Sequence, residues 1–313
     1  MSRVDRVTAR SIRESERRKR DGERRRANKA DAEAWQDLAA RLTEAHQVTF
    51  TRIDWAEIEA MGPVVPSIPR DAVSSVARRK LQAYRPSLAD NLLGRERDRR
   101  RELMEKVVEA VKADAELYAR AKAEADAHNR KLALASEVRA LNPDAIAGVL
   151  KVSGAPKALK DVIEACSLRS EGARLVAQVD LIELDALPDE ACRASAGGFA
   201  WTPLTDAERA ELQLNNACSA VLRVAVEVLQ AAPIETVEVV ARLCRPTGSA
   251  ETDFDTVLHV KVHAIAIAKA QLKKMAATTV LSALGARFDW TPGRGLAAID
   301  LDDIGLAAGR AAA

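Results

Sequence analysis

The stretch from Thr205 to Pro233 is the strongest constraint on how this chain can fold. Thr205, with Glu208 three residues on, makes a capping box. The chain then runs almost wholly apolar through Ala217, Cys218, Val221, Leu222, Val224, Ala225, Val226, Val228 and Leu229 until Pro233 ends the helix. A helix that is hydrophobic on nearly every side has to be surrounded, so it predicts the centre of a core. Its polar exceptions, Asn216, Ser219, Arg223 and Glu227, recur at helical spacing, and Arg223 and Glu227 can pair at i,i+4.

The surroundings of that helix read as strands. In RLVAQVDLIEL, Leu175, Ala177, Val179 and Leu181 face one way, with Gln178 and Asp180 opposite, the signature of a half-buried strand. Two more follow the helix. One sets Val237, Val239, Ala241 and Leu243 against Glu238 and Arg242; the other sets Leu258, Val260, Val262 and Ala264 against His259, Lys261 and His263. Pro246-Thr247-Gly248-Ser249 starts a hairpin loop between them, so the pair is predicted to be antiparallel with adjoining polar faces. A short helix is expected around residues 158–166, a turn-rich stretch over 188–201 and a helix over 269–284. Phe288 and Trp290 then suit an edge strand before the Pro292-Gly293 turn.

The front half is helical. Trp35, Leu38, Ala39 and Leu42 begin an apolar stripe, three prolines between Met61 and Pro69 favour an extended spacer whose Val64, Val65 and Ile68 would pack, and residues 71–85 form a short helix. From Leu92 to Leu141 there is no proline and one glycine, Gly94, which predicts one long charged helix. Met104, Val111, Tyr118, Ala125 and Leu132 recur every seven residues along it. Asp114 and His128 interrupt the companion seam, so a free parallel coiled coil is weakly supported and packing within the chain is expected. The arginines between 95 and 101 sit in a nearly neutral helix and read as a solvated face.

Charge is distributed unevenly. The first thirty residues hold twelve Lys and Arg against five acids, a net +7, so in a chain of +2 the other 283 residues sum to −5. Arg10, Arg13, Arg17, Arg20 and Arg24 would line one face of a helix, and with Arg18, Lys19, Arg25 and Arg26 they form the candidate nucleic-acid-binding set. The phosphate backbone of nucleic acid is the expected partner, an acidic protein the alternative. The segment lacks the bulky apolar face of a membrane-surface helix, and no run of eighteen apolar residues suggests a span, so a cytoplasmic location is expected.

Familiar catalytic patterns are missing from the sequence. Cys166, Cys192, Cys218 and Cys244 fall every 26 residues in unrelated contexts with no CxxC, and read as reduced thiols mostly in apolar surroundings. His259 and His263 are about 13 Å apart along a strand, too far to share an ion, and His128 lacks a second ligand. A strand–hairpin–strand unit with polar residues on both strands suggests a metal-dependent nuclease, but His259-Val260-Lys261 stands where Glu-x-Lys is needed. Arg223, Glu227, Glu238, His259 and Lys261 are therefore kept as a candidate polar site, with no catalytic residue, metal or cofactor assigned.

Leu222-Arg223-Val224-Ala225 with Glu227, Leu229 and Pro233, then Thr247-Gly248, Val257-Leu258, Phe288, Trp290 and Arg294-Gly295 resemble a bacterial family with a basic helical front, a long charged helix and an α and β end. The resemblance covers roughly the last 110 residues; it implies a shared architecture and supplies no catalytic residue or ligand. The expected fold is α+β: a basic arm over 1–34, a helical, partly coiled-coil region over 35–145, a small mixed sheet packed on a buried helix over 146–305, and a tail. The expected function is a non-enzymatic binding or interaction protein. A structural protein that forms a homo-oligomer through the long helix is one alternative, and a degenerate nuclease-like domain is another.

Overall fold

The computed structural model describes residues 26–87, 94–172, 174–195, 198–245 and 253–300, and its fold is α+β. Two compact units are present. Of the described residues, one takes those between 54 and 135; the other joins residues 26–53 to those between 136 and 300. In the latter, β1 (Arg26–Ala27) precedes α1 (Lys29–Thr43), whose N-terminus is fixed by a capping box between Asn28 and Asp31. The segment up to Ile53 therefore belongs with the C-terminal half of the chain.

The 54–135 unit holds α2 (Trp55–Met61), α3 (Ser74–Ala83) and α4 (Glu96–Arg139), the last through Ala135. Polar side chains of α4 fix the proline-rich connection. Asn129 accepts from Val64 N at 2.8 Å and donates to Val64 O at 2.8 Å, His128 donates to Gly62 O, and Asp114 accepts from the N–H groups of Val73 and Ser74. Asp114 thus turns inward, which explains the broken seam in the sequence. Burial raises its pKa, but those donors outweigh burial and the net shift is downward. Val65, expected to pack, is 77% exposed, because alternate residues of the extended connection point outward and only Val64 and Ile68 are half-covered.

The other unit continues with α5 (Pro143–Ser153), α6 (Ala155–Leu159), β2 (Ile163–Glu171), β3 (Arg174–Leu181), β4 (Glu190–Ser195), β5 (Gly198–Pro203), α7 (Asp206–Ala231), β6 (Thr236–Arg245), β7 (Asp253–His263), α8 (Ala264–Lys269), α9 (Ala277–Ala283), β8 (Arg287–Thr291) and β9 (Gly295–Ala297). The main sheet has the order β2-β3-β6-β7-β8-β9; β3 and β6 are parallel, while β6 and β7 are antiparallel as expected. β1, β5 and β4 form a small separate sheet.

α7 is the buried helix, opened by the Thr205–Glu208 capping box. One face of the main sheet meets it: Leu175, Ala177, Val179, Val237, Val239, Ala241, Leu258, Val260 and Val262 are all 1% exposed or less. Gly295 closes the sheet's far turn at φ +77, and a Cβ there would collide with Gln213 Oε1, which accepts from Leu296 N.

Three local expectations are corrected. The helix expected around 158–166 ends at Leu159, and Cys166 lies in the edge strand β2. The stretch over 188–201 is mostly the β4–β5 hairpin, in which Cys192 pairs with Trp201. The helix expected over 269–284 is broken between α8 and α9. There His46 Nε2 donates to Met275 O at 2.9 Å, so a tertiary contact uses a carbonyl that a continuous helix would have used.

Candidate functional site

The basic set divides at the edge of the described structure. Arg10, Arg13, Arg17, Arg18, Lys19, Arg20, Arg24 and Arg25 lie outside the described residues, and Arg26 lies in β1, paired with Ala200 of β5. This attaches the end of the basic segment to a hairpin and, through Asn28, to a capped helix. A separate basic run, residues 95–101, occupies the exposed start of α4, where Arg99 pairs with Glu102 at 2.8 Å.

The five residues of the candidate polar site form two groups. Arg223 donates through Nε to Glu227 Oε1 at 2.7 Å and through NH1 to Ala45 O at 2.9 Å. This pair belongs to a longer row on α7. Asn216 donates to Leu42 O and Val162 O, Ser219 bonds both the backbone N–H and Nδ1 of His46, and Gln230 donates to Thr49 O while its own carbonyl accepts from Ile53 N. The polar stripe is thus occupied in holding residues 42–53 along the helix. Sequence spacing disclosed the stripe, but nothing in it disclosed that the partner is main chain some 170 residues earlier.

Glu238, His259 and Lys261 lie on the sheet face opposite α7, because side chains alternate along β6 and β7. Glu238 stands directly across from Lys261, and His259 Nε2 lies 2.7 Å from Glu238 Oε1, both side chains being less than a tenth exposed. The Glu238 carboxylate accepts from the Nε2–H and so fixes the orientation of the ring. Beside the pair, a cavity of about 450 Å³ is lined by Arg174, Ile234, Glu235, Thr236, Glu238 and Lys261. Further along the same face Arg242 donates to Asp180 at 2.9 and 2.6 Å and stacks 4.3 Å over Phe254; Asp180 and Arg242 read from sequence only as outward-facing polar residues. The candidate site is therefore corrected: Arg223 and Glu227 are on one side of the sheet, and Glu238, His259 and Lys261 are on the other.

Reactive groupings are few. Among the described residues, no cluster of three or more His, Cys, Asp or Glu is placed to hold a metal ion. Cys192 and Cys218 are buried, Cys244 is half-buried and Cys166 is exposed, so apolar surroundings hold for two of the four cysteines. Burial pushes the Cys218 thiol up to about 12, which keeps it protonated and inert. Among the described residues, no helix is long and apolar enough to cross a membrane. The chain matches no family model, no curated protein and no solved structure, so its site is read from its own geometry.

Proposed function

We propose that the protein is a non-enzymatic binding protein whose basic first thirty residues hold the backbone of nucleic acid without reading its bases. The observation that carries this reading is charge segregation: +7 over thirty residues, on a chain whose remainder sums to −5. Phosphate contacts of this kind depend on the number and density of cations, and they release counterions on binding. The attachment of that segment at β1 supports the reading, since it ties a cationic arm to a folded body that carries opposite net charge. A mildly acidic body also disfavours non-specific adhesion through its own surface.

The test is duplex binding by the intact chain and by a variant lacking residues 1–25, which keeps the β1 pairing. The intact chain is expected to bind different sequences alike. If six phosphates are neutralised, affinity falls by roughly a thousandfold between 50 and 200 mM salt. The shortened chain is expected to lose most of its affinity and of the salt slope. Equal binding by the two proteins overturns the proposal.

A further inference from the structure

Helix α4 has two apolar sides, and the folded chain covers one. The buried side carries Ala110, Asp114 and Ala125. On the other, Met104, Val108 and Val111 are 58, 56 and 42% exposed, and exposed Ala115 continues the row. Their steps are four, three and four residues, the repeat that keeps one stripe turned toward a partner helix. The seven-residue series of Met104 and Val111 therefore does have a companion, one residue beyond the position held by Asp114.

We propose that this stripe is a self-docking surface on which two copies of the chain pair their α4 helices antiparallel about a two-fold axis. In the register that sets Val108 against the partner's Val111, Met104 falls opposite the partner's Ala115, the largest side chain of the stripe against the smallest. The same register brings Glu105 beside the partner's Lys112, and symmetry repeats the contact. In a parallel pair Arg101 would meet its own copy in the seam, and the cationic run over 95–101 would lie beside itself, so charge selects the antiparallel arrangement. The stripe from Met104 to Ala115 is about 17 Å long, three turns of helix.

Sedimentation equilibrium of the full chain over a wide concentration range, without nucleic acid, tests it. The wild-type chain is expected to pass from monomer to dimer, and Val108→Glu to remain monomeric with an unchanged circular dichroism spectrum, since the side chain is exposed. Glu105→Lys and Lys112→Glu should each weaken the dimer by roughly tenfold, and the double variant Glu105→Lys/Lys112→Glu should recover it. A wild-type chain that stays monomeric overturns the proposal and leaves the stripe to a different protein. A dimer indifferent to Val108→Glu overturns it too, and failure of the double variant to recover overturns the antiparallel register.

Discussion

Two long helices, α7 and α4, use their minority residues in opposite ways. α7 is surrounded by sheet and by other helices, so its apolar positions are unremarkable and its polar ones are informative: Asn216, Ser219, Arg223 and Gln230 each reach a named group in residues 42–53. α4 is largely exposed and charged, so its polar positions are solvated by default, and the informative residues are the uncovered apolar ones that share one stripe, Met104, Val108 and Val111. A stripe acquires meaning from its background. On a buried helix a polar row has to find partners within the protein, because an unpaired buried polar group costs about 1–3 kcal/mol. On an exposed helix an apolar row at heptad spacing is the feature that requires an explanation.

The contrast predicts a large difference in cost between apolar truncations. Leu222 on α7 is fully buried, and Leu222→Ala should destabilise the protein by about 3–5 kcal/mol, the transfer loss plus the cavity left behind. Val108→Ala on α4 should change monomer stability by less than about 0.5 kcal/mol. Chemical unfolding followed separately by a probe in each unit would show it. Similar costs for both would mean that Val108 is covered in solution at the concentration used, which a dilution series would reveal.

A smaller effect isolates the polar row of α7. Arg223→Ala removes the partner of Glu227, whose side chain is 11% exposed, together with the bond to Ala45 O. The expected loss is about 2–3 kcal/mol, below the full cost of breaking a buried pair because some solvent reaches the site. Hydrogen exchange gives the sharper readout. The Ile53 amide, bonded to Gln230 O, should exchange faster in this variant if residues 44–53 detach together. Unchanged exchange would mean that each contact along the row acts alone.

Features fixed by local chemistry were legible in the sequence: the Thr205 cap, the Arg223–Glu227 pair, the alternation of β6 and β7, and the length of α4. Features fixed by partners were not. β2 is an edge strand whose own residues hardly alternate, so its pairing with β3 rather than its pattern makes it a strand. At the break after α8 the Met275 carbonyl is taken by His46, more than two hundred residues earlier. The candidate polar site was half legible for the same reason. Alternation put Glu238, His259 and Lys261 on one face, but which face α7 covers is a tertiary fact, and it separates them from Arg223 and Glu227.

The smallest effect concerns how each helix uses an arginine–glutamate pair near its start. On α7, Glu208 accepts from Thr205 N–H and from the Arg193 side chain, and these bonds, with one from the Thr205 hydroxyl, hold its carboxyl well below the usual range, at about 2. A lowered folded pKa means that the ionised form favours the folded state. Its contribution is complete above the ordinary glutamate value, shrinks as the pH falls below it, and is gone once the pH has passed through about 2. Glu208→Gln should therefore weaken the protein at neutral pH, and its deficit relative to wild type should close between about pH 4.5 and 2. On α4, Arg99 and Glu102 form a similar contact at 2.8 Å, but both side chains are more than half exposed and Glu102 lies well inside the helix, away from its first turn. Glu102→Gln should be indistinguishable from wild type at neutral pH. If the Glu208→Gln deficit were constant across the acid range, the cap would be acting through shape rather than charge, and the distinction between the two pairs would disappear.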